Sequence, residues 1–104
     1  MYKYQDLQVW ENSMDLTTGI YKLTGKLTQK EQFSLVSKIN RCAVSIASNI
    51  AEGVGRNTSG EFNQFFSIAS GSLFELETQL LISVRVGYFK ISETISANYL
   101  IKEI

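Results

Sequence analysis

Cys42 is the one thiol in a chain of 104 residues that holds no histidine. A cysteine nucleophile needs a neighbour to take its proton, and imidazole is the usual one. Cys42 lacks that activator, and its place beside Ile39, Ala43 and Ile46 at helical spacing predicts a partly buried, inert thiol. The carboxylates offer little more. Glu75 and Glu77 sit about 200° apart around a helix and cannot share one centre. Metal sites in the core of helical bundles use Glu-x-x-His pairs, which a chain without histidine cannot supply. The expectation is a non-enzyme with no catalytic residue, no cofactor and no metal ligand.

One segment has unusual helix chemistry. Within residues 45–53, Ser45, Ser48, Asn49 and Glu52 form a polar stripe beside Ile46 and Ile50. Serine and asparagine are indifferent helix formers, so their concentration here needs a reason. Close helix approach is one, with Ala43, Ala47 and Ala51 giving room and the polar atoms bonded across the contact. A recognition surface is the other. With the flanking bases, the candidate interaction surface is Lys38, Arg41, Ser45, Ser48, Asn49, Glu52 and Arg56. Arg41 should lie level with Leu73 on the next helix, within reach of Glu75 or Glu77, which predicts an ion pair between helices. Ser72, Glu75 and Gln79 fall on one face, consistent with solvent or a subunit contact. Lys22, Lys26 and Lys30 recur every four residues and read as a solvated row. Gly53-Val54-Gly55 is expected to end a helix, not to cradle a phosphate.

Ten basic and ten acidic side chains give a formal net charge of zero. That removes the basic excess on which a nucleic-acid reading usually rests, so such a partner is possible but unsupported by charge. A single cysteine fits a reducing cytoplasm. No apolar run approaches the roughly 18 residues that cross a bilayer, so no membrane partner is expected. The length suits a single domain over 1–104.

Four helical segments would position these residues. The first, about 6–27, carries two adjacent stripes, one through Leu7, Trp10, Met14, Thr17, Tyr21 and Thr24, the other through Val9, Leu16, Ile20, Leu23 and Leu27. Asp6 is its predicted N-cap. Thr28-Gln29-Lys30-Glu31 has the form of a capping box and opens the second, about 29–53, with Val36, Ile39, Ala43, Ile46 and Ile50 inward. Thr58-Ser59-Gly60-Glu61 is another such box and starts the longest segment, about 59–87. Its seam is Phe62, Phe66, Ala69, Leu73, Leu76 and Leu80, broadened by Phe65 and Leu81. Gly87 reads as its C-cap. Ser92 should start a short fourth helix, 92–104, with Ile95, Tyr99, Leu100 and Ile104 as a partial stripe. The first three match in length at roughly 30–37 Å. Short connections predict an all-α, antiparallel up-down-up-down four-helix bundle with a short fourth helix. Trp10, Phe65, Phe66 and Phe74 cannot all point inward, and such aromatic excess on a small domain predicts oligomer contacts.

Three blocks carry a family resemblance. Asp6-Leu7-Gln8-Val9-Trp10, the run from Ser45 to Arg56, and the run from Gly71 to Leu80 resemble the 23S rRNA-intervening-sequence proteins, with fitting spacing over about residues 4–89. That family usually carries proline where this chain has Ala47 and a further base where it has Asn40. Its last helix also tends to run further. The resemblance implies a four-helix bundle without enzymatic activity that assembles with itself into a homopentamer. Similar proteins accompany the reverse transcriptases of retroelements, where a basic pentamer binds the polymerase and nucleic acid. The leading expectation is therefore a homo-oligomeric scaffold or partner-binding module. The alternative is a nucleic-acid-binding accessory protein acting on ribosomal or retroelement-associated RNA, through Lys38, Arg41 and Arg56 repeated around a ring.

Overall fold

The computed structural model describes residues 3–27 and 32–104. Four α-helices account for most of it: α1 Gln8–Thr24, α2 Ser37–Val54, α3 Ser59–Arg85 and α4 Ile95–Glu103. A 3-10 turn, Tyr4–Asp6, precedes α1; a π-helical turn, Gln32–Val36, leads into α2; and a second 3-10 turn, Ile91–Thr94, leads into α4. No strand occurs among the described residues.

The helix ends follow local chemistry. Thr58 is extended at φ −123°, and its Oγ1 accepts the amide of Glu61 at 3.2 Å, as the capping-box pattern predicts. At the other end of α3, Gly87 takes φ +87°. The Tyr88 amide then donates to the Ser83 carbonyl at 2.9 Å and the Gly87 amide to Val84 at 3.1 Å, a Schellman closure. Other ends differ from the sequence reading. Asp6 closes the first 3-10 turn and does not cap α1; extended Leu7 is the cap residue, with no side-chain bond. Ser92 lies inside a 3-10 turn, so its hydroxyl cannot cap α4. The Glu93 carboxylate instead accepts the Lys90 amide at 2.9 Å. The Thr28–Glu31 box lies outside the described residues.

α2 ends at Val54 with Gly55 as its cap residue, within the glycine stretch expected to end it. Gly53 is buried inside the last turn, where an added Cβ would stand 3.2 Å from Cβ of Phe65 and 3.4 Å from the Phe62 carbonyl oxygen. The glycine is there for close approach to α3. The helices also differ in length more than their periodicity suggests: about 26 Å for α1, about 27 Å for α2 and about 40 Å for α3.

Cross-helix partners give the directions. Along α2 and α3, Gly53 meets Phe65, Ser45 meets Ser72, and Cys42 meets Ser72, so the two run antiparallel. Thr17 on α1 donates to the Ala43 carbonyl at 3.1 Å and Thr24 to Asn40 at 2.9 Å, again antiparallel. The core gathers Leu16, Ile20 and Leu23 from α1, Ile39, Ala43, Ile46 and Ile50 from α2, and Ala69, Leu76 and Leu80 from α3. Phe89, Ala97 and Ile101 close it. Some stripe residues turn outward instead. Met14, Tyr21, Leu81, Ile95 and Tyr99 are exposed, because each wide stripe is covered by its neighbour on one side only.

Two glycines should respond oppositely to alanine. Gly87→Ala forces a Cβ into the left-handed region and should lower unfolding free energy by about 1 kcal/mol. Gly71, in mid-α3 with nothing within 4 Å, should gain up to about 1 kcal/mol on the same change. Denaturant midpoints of the two variants measure both.

Candidate functional site

α2 presents Lys38, Arg41, Ser45, Ser48, Asn49 and Glu52 along one outer stripe, since steps of three and four residues keep a helix face constant, and Arg56 follows just beyond its last turn. The structure divides that stripe in two. Lys38, Arg41, Cys42 and Ser45 line a shallow cavity of about 250 Å3 with Ser72 and Glu75 of α3. Ser48, Glu52 and Arg56 line another of about 500 Å3 with Tyr4, Ala51 and Gly55.

Within the first cavity the polar atoms are largely satisfied internally. The Ser45 and Ser72 hydroxyls are 3.1 Å apart across the α2–α3 contact. Asn49 turns back on its own helix, donating to the Ser45 carbonyl at 2.8 Å and to its hydroxyl at 3.0 Å. Arg41 shares the cavity with Glu75, but the expected ion pair is not formed. Among the described residues the one ion pair is Arg56 to Glu52 at 2.7 Å, back onto the last turn of α2. Arg56 also stacks over the Phe65 ring at 4.6 Å from its centroid. That arginine is therefore held by a carboxylate and an aromatic face, while Lys38 and Arg41 stand exposed with no carboxylate among the described residues within 4 Å.

Cys42 is buried and donates to the Ser72 carbonyl at 3.0 Å. Burial, and secondarily the nearby Glu75 charge, push the thiol from 9.0 to about 11. A thiolate is the reactive form, so this geometry suppresses reactivity. Among the described residues no three acidic, cysteine or histidine side chains gather as a metal site. No helix among them is long and apolar enough to cross a membrane.

Gln79 is a core residue that the sequence does not signal. Its spacing places it with Ser72 and Glu75 on a solvated or intersubunit face, yet Ser72 and Gln79 are buried and only Glu75 is exposed. Gln79 Nε2 makes one long bond to Glu75 at 3.4 Å, and its buried Oε1 has no partner. Ser13 and Ser83, also buried, donate to carbonyls of their own helices at 2.6 and 2.8 Å. Small hydroxyls that bond their own helix pack at crossings without an outside partner, a property that residue type alone could have signalled.

The four aromatics read as oligomer contacts separate. Trp10 is half-buried with its ring 5.2 Å from Tyr4, Phe66 lies 4.3 Å from Phe62, and Phe65 sits under Arg56. Phe74 alone of the four is strongly exposed, at 72%. Leu81, Val86, Ile91, Ile95 and Tyr99 share that exposure on α3, α4 and the turn between them.

These features define a helical-bundle protein with an interhelical polar seam on one side and an uncovered apolar surface on another. The chain belongs to the 23S rRNA-intervening sequence protein family, whose profile matches residues 5–104. Among solved structures it is similar to a protein with unknown function from the S23 ribosomal protein family of Bacteroides thetaiotaomicron VPI-5482. The two share 25% identity and a TM-score of 0.85 over 91% of this chain and 89% of that one. No curated protein matches the chain.

The thiol chemistry predicts slow labelling. At pH 8 a shift from 9.0 to about 11 cuts the thiolate fraction roughly 100-fold, so Ellman's reagent should modify native Cys42 at least that much more slowly than urea-unfolded protein. The sign for stability follows. The unfolded thiol ionises first, so its contribution is intact below pH 9 and is lost as pH rises from 9 towards 11.

Proposed function

We propose that this protein is a non-enzymatic, self-associating helical module that serves as a scaffold or partner-binding element in the cytoplasm. The observation that carries the reading is the number of large apolar side chains exposed on α3, α4 and the turn between them: Phe74, Leu81, Val86, Ile91, Ile95 and Tyr99. Scattered exposed apolar residues are ordinary, but this density on a domain of 104 residues marks an interface. A second, unlike set, Met14 and Tyr21 on α1 with Val44 on α2, is also exposed. Two unlike apolar surfaces suit a head-to-tail contact, which closes into a ring when the rotation permits. A homopentamer, as the family resemblance implies, is the ring proposed.

An RNA-binding role draws less support. The net charge is zero, and Arg56 is already engaged by Glu52, leaving Lys38 and Arg41 as the bases with open donors on the α2 stripe.

Native mass spectrometry and light scattering at micromolar concentration should show an oligomer, and Phe74→Asp with Tyr99→Asp should return it to the monomer mass without loss of helicity. A wild-type monomer sinks the proposal. In parallel, affinity for structured RNA should be weak and change little between about 50 and 200 mM salt; a steep loss of tight binding over that range would promote the RNA reading.

A further inference from the structure

The α2–α3 cavity of about 250 Å3 carries bonding capacity that the protein itself does not use. On the α2 side, Lys38 and Arg41 are exposed, with no carboxylate among the described residues within 4 Å. On the α3 side, Glu75 is engaged through Oε1 only, which accepts a long bond from Gln79 Nε2 at 3.4 Å. Gln79 is buried, so Glu75 is tethered from the interior while its second oxygen stays open. Ser45, Ser72 and Cys42 complete the lining. The two hydroxyls share one bond at 3.1 Å, and Ser45 Oγ also accepts from Asn49 Nδ2 at 3.0 Å. Neither hydroxyl donates to any other described group, so whichever gives its hydrogen to the other, one hydroxyl hydrogen is left over. The Cys42 thiol is spent on the Ser72 carbonyl.

We infer that this cavity binds a small zwitterion of the free α-amino-acid class, its carboxylate on Lys38, Arg41 and the spare hydroxyl, its ammonium on Glu75. The placement of charge selects the class. Arg41 and Glu75 line one cavity without meeting, and a molecule with both charges of its own bridges them. A simple anion would satisfy α2 but leave the Glu75 carboxylate facing a like charge, and a simple cation would meet two bases. Size selects a small occupant, since the cavity is below the roughly 300 Å3 at which pockets for drug-sized ligands begin. Water reaches Lys38, Arg41 and Glu75 and screens each pair, so the dissociation constant should be on the order of a millimolar and should rise with salt. The site uses none of the exposed apolar residues proposed for self-association and stands or falls separately from them.

Titration of the isotope-labelled full chain with L-alanine tests it, read by the amide chemical shifts around Ser45 and Ser72. The expected result is a saturable shift at those amides, with affinity at least about threefold weaker in Arg41→Gln and in Glu75→Gln. Both side chains are exposed, and unchanged shifts elsewhere in the chain show that each variant is folded. N-acetyl-alanine lacks the ammonium and alaninamide lacks the carboxylate, so each should bind the wild type at least about threefold more weakly than alanine. Glu75→Gln should lose the first of these preferences and keep the second, an exchange that a merely structural role for Glu75 would not produce. No saturation by about 50 mM alanine overturns the inference. So does a smaller effect in either variant, or N-acetyl-alanine, alaninamide or inorganic phosphate binding the wild type as tightly as alanine. Phosphate in that role would make the cavity a simple anion site.

Discussion

The close antiparallel approach of α2 and α3 is the constraint around which the rest of the molecule is arranged. It is the most extensive helix contact, and it needs small residues where the backbones come nearest. Gly53 against Phe65 fixes one end, and the hydroxyls of Ser45 and Ser72 meet further along. Cys42 fills the next level with its thiol on the Ser72 carbonyl. Polar atoms at such a contact must be bonded or they carry a desolvation cost of about 1–3 kcal/mol, and most of them here are. The serines, asparagine and cysteine that looked like potential chemistry are therefore largely consumed by packing. What survives at the surface is a shallow cavity with two cations and one carboxylate held apart.

The placement of α4 is the second organising fact. It packs chiefly on α1 and only slightly on α3, which leaves the outer side of α3 open. The bundle therefore has two kinds of apolar exposure. One is concave, continuous with an internal interface, and lined by residues that are half-buried. The other is convex, around Phe74, Leu81 and Tyr99. Concave apolar surface receives a side-chain ridge, whereas convex surface needs a partner with its own hollow, so the two are not interchangeable.

Electrostatics plays a small part. The pairing of Glu52 with Arg56, just past the end of α2, is a solvent-exposed contact, the kind worth about a few tenths of a kcal/mol. Arg41 and Glu75 line the same cavity without meeting. Neutral composition and sparse pairing leave burial of apolar side chains as the main source of both folding and association.

Periodicity determined the all-α class, the four segments and the α2 core through Ile39, Ala43, Ile46 and Ile50, and local capping motifs determined the Thr58 cap and the Gly87 closure. These are decided by hydrogen bonds and steric preferences within a few residues, so they are written locally. Tertiary structure alone decided which half of each wide stripe faces inward. Leu81 and Tyr99 have the residue type and spacing of core positions, and only the placement of neighbouring helices puts them in solvent. It also decided that Gly53 serves packing, that Arg41 misses Glu75, and that Gln79 is interior. Each depends on the offset and rotation of one helix against another, and those quantities are set by the summed packing of many side chains, which no single stretch of sequence encodes.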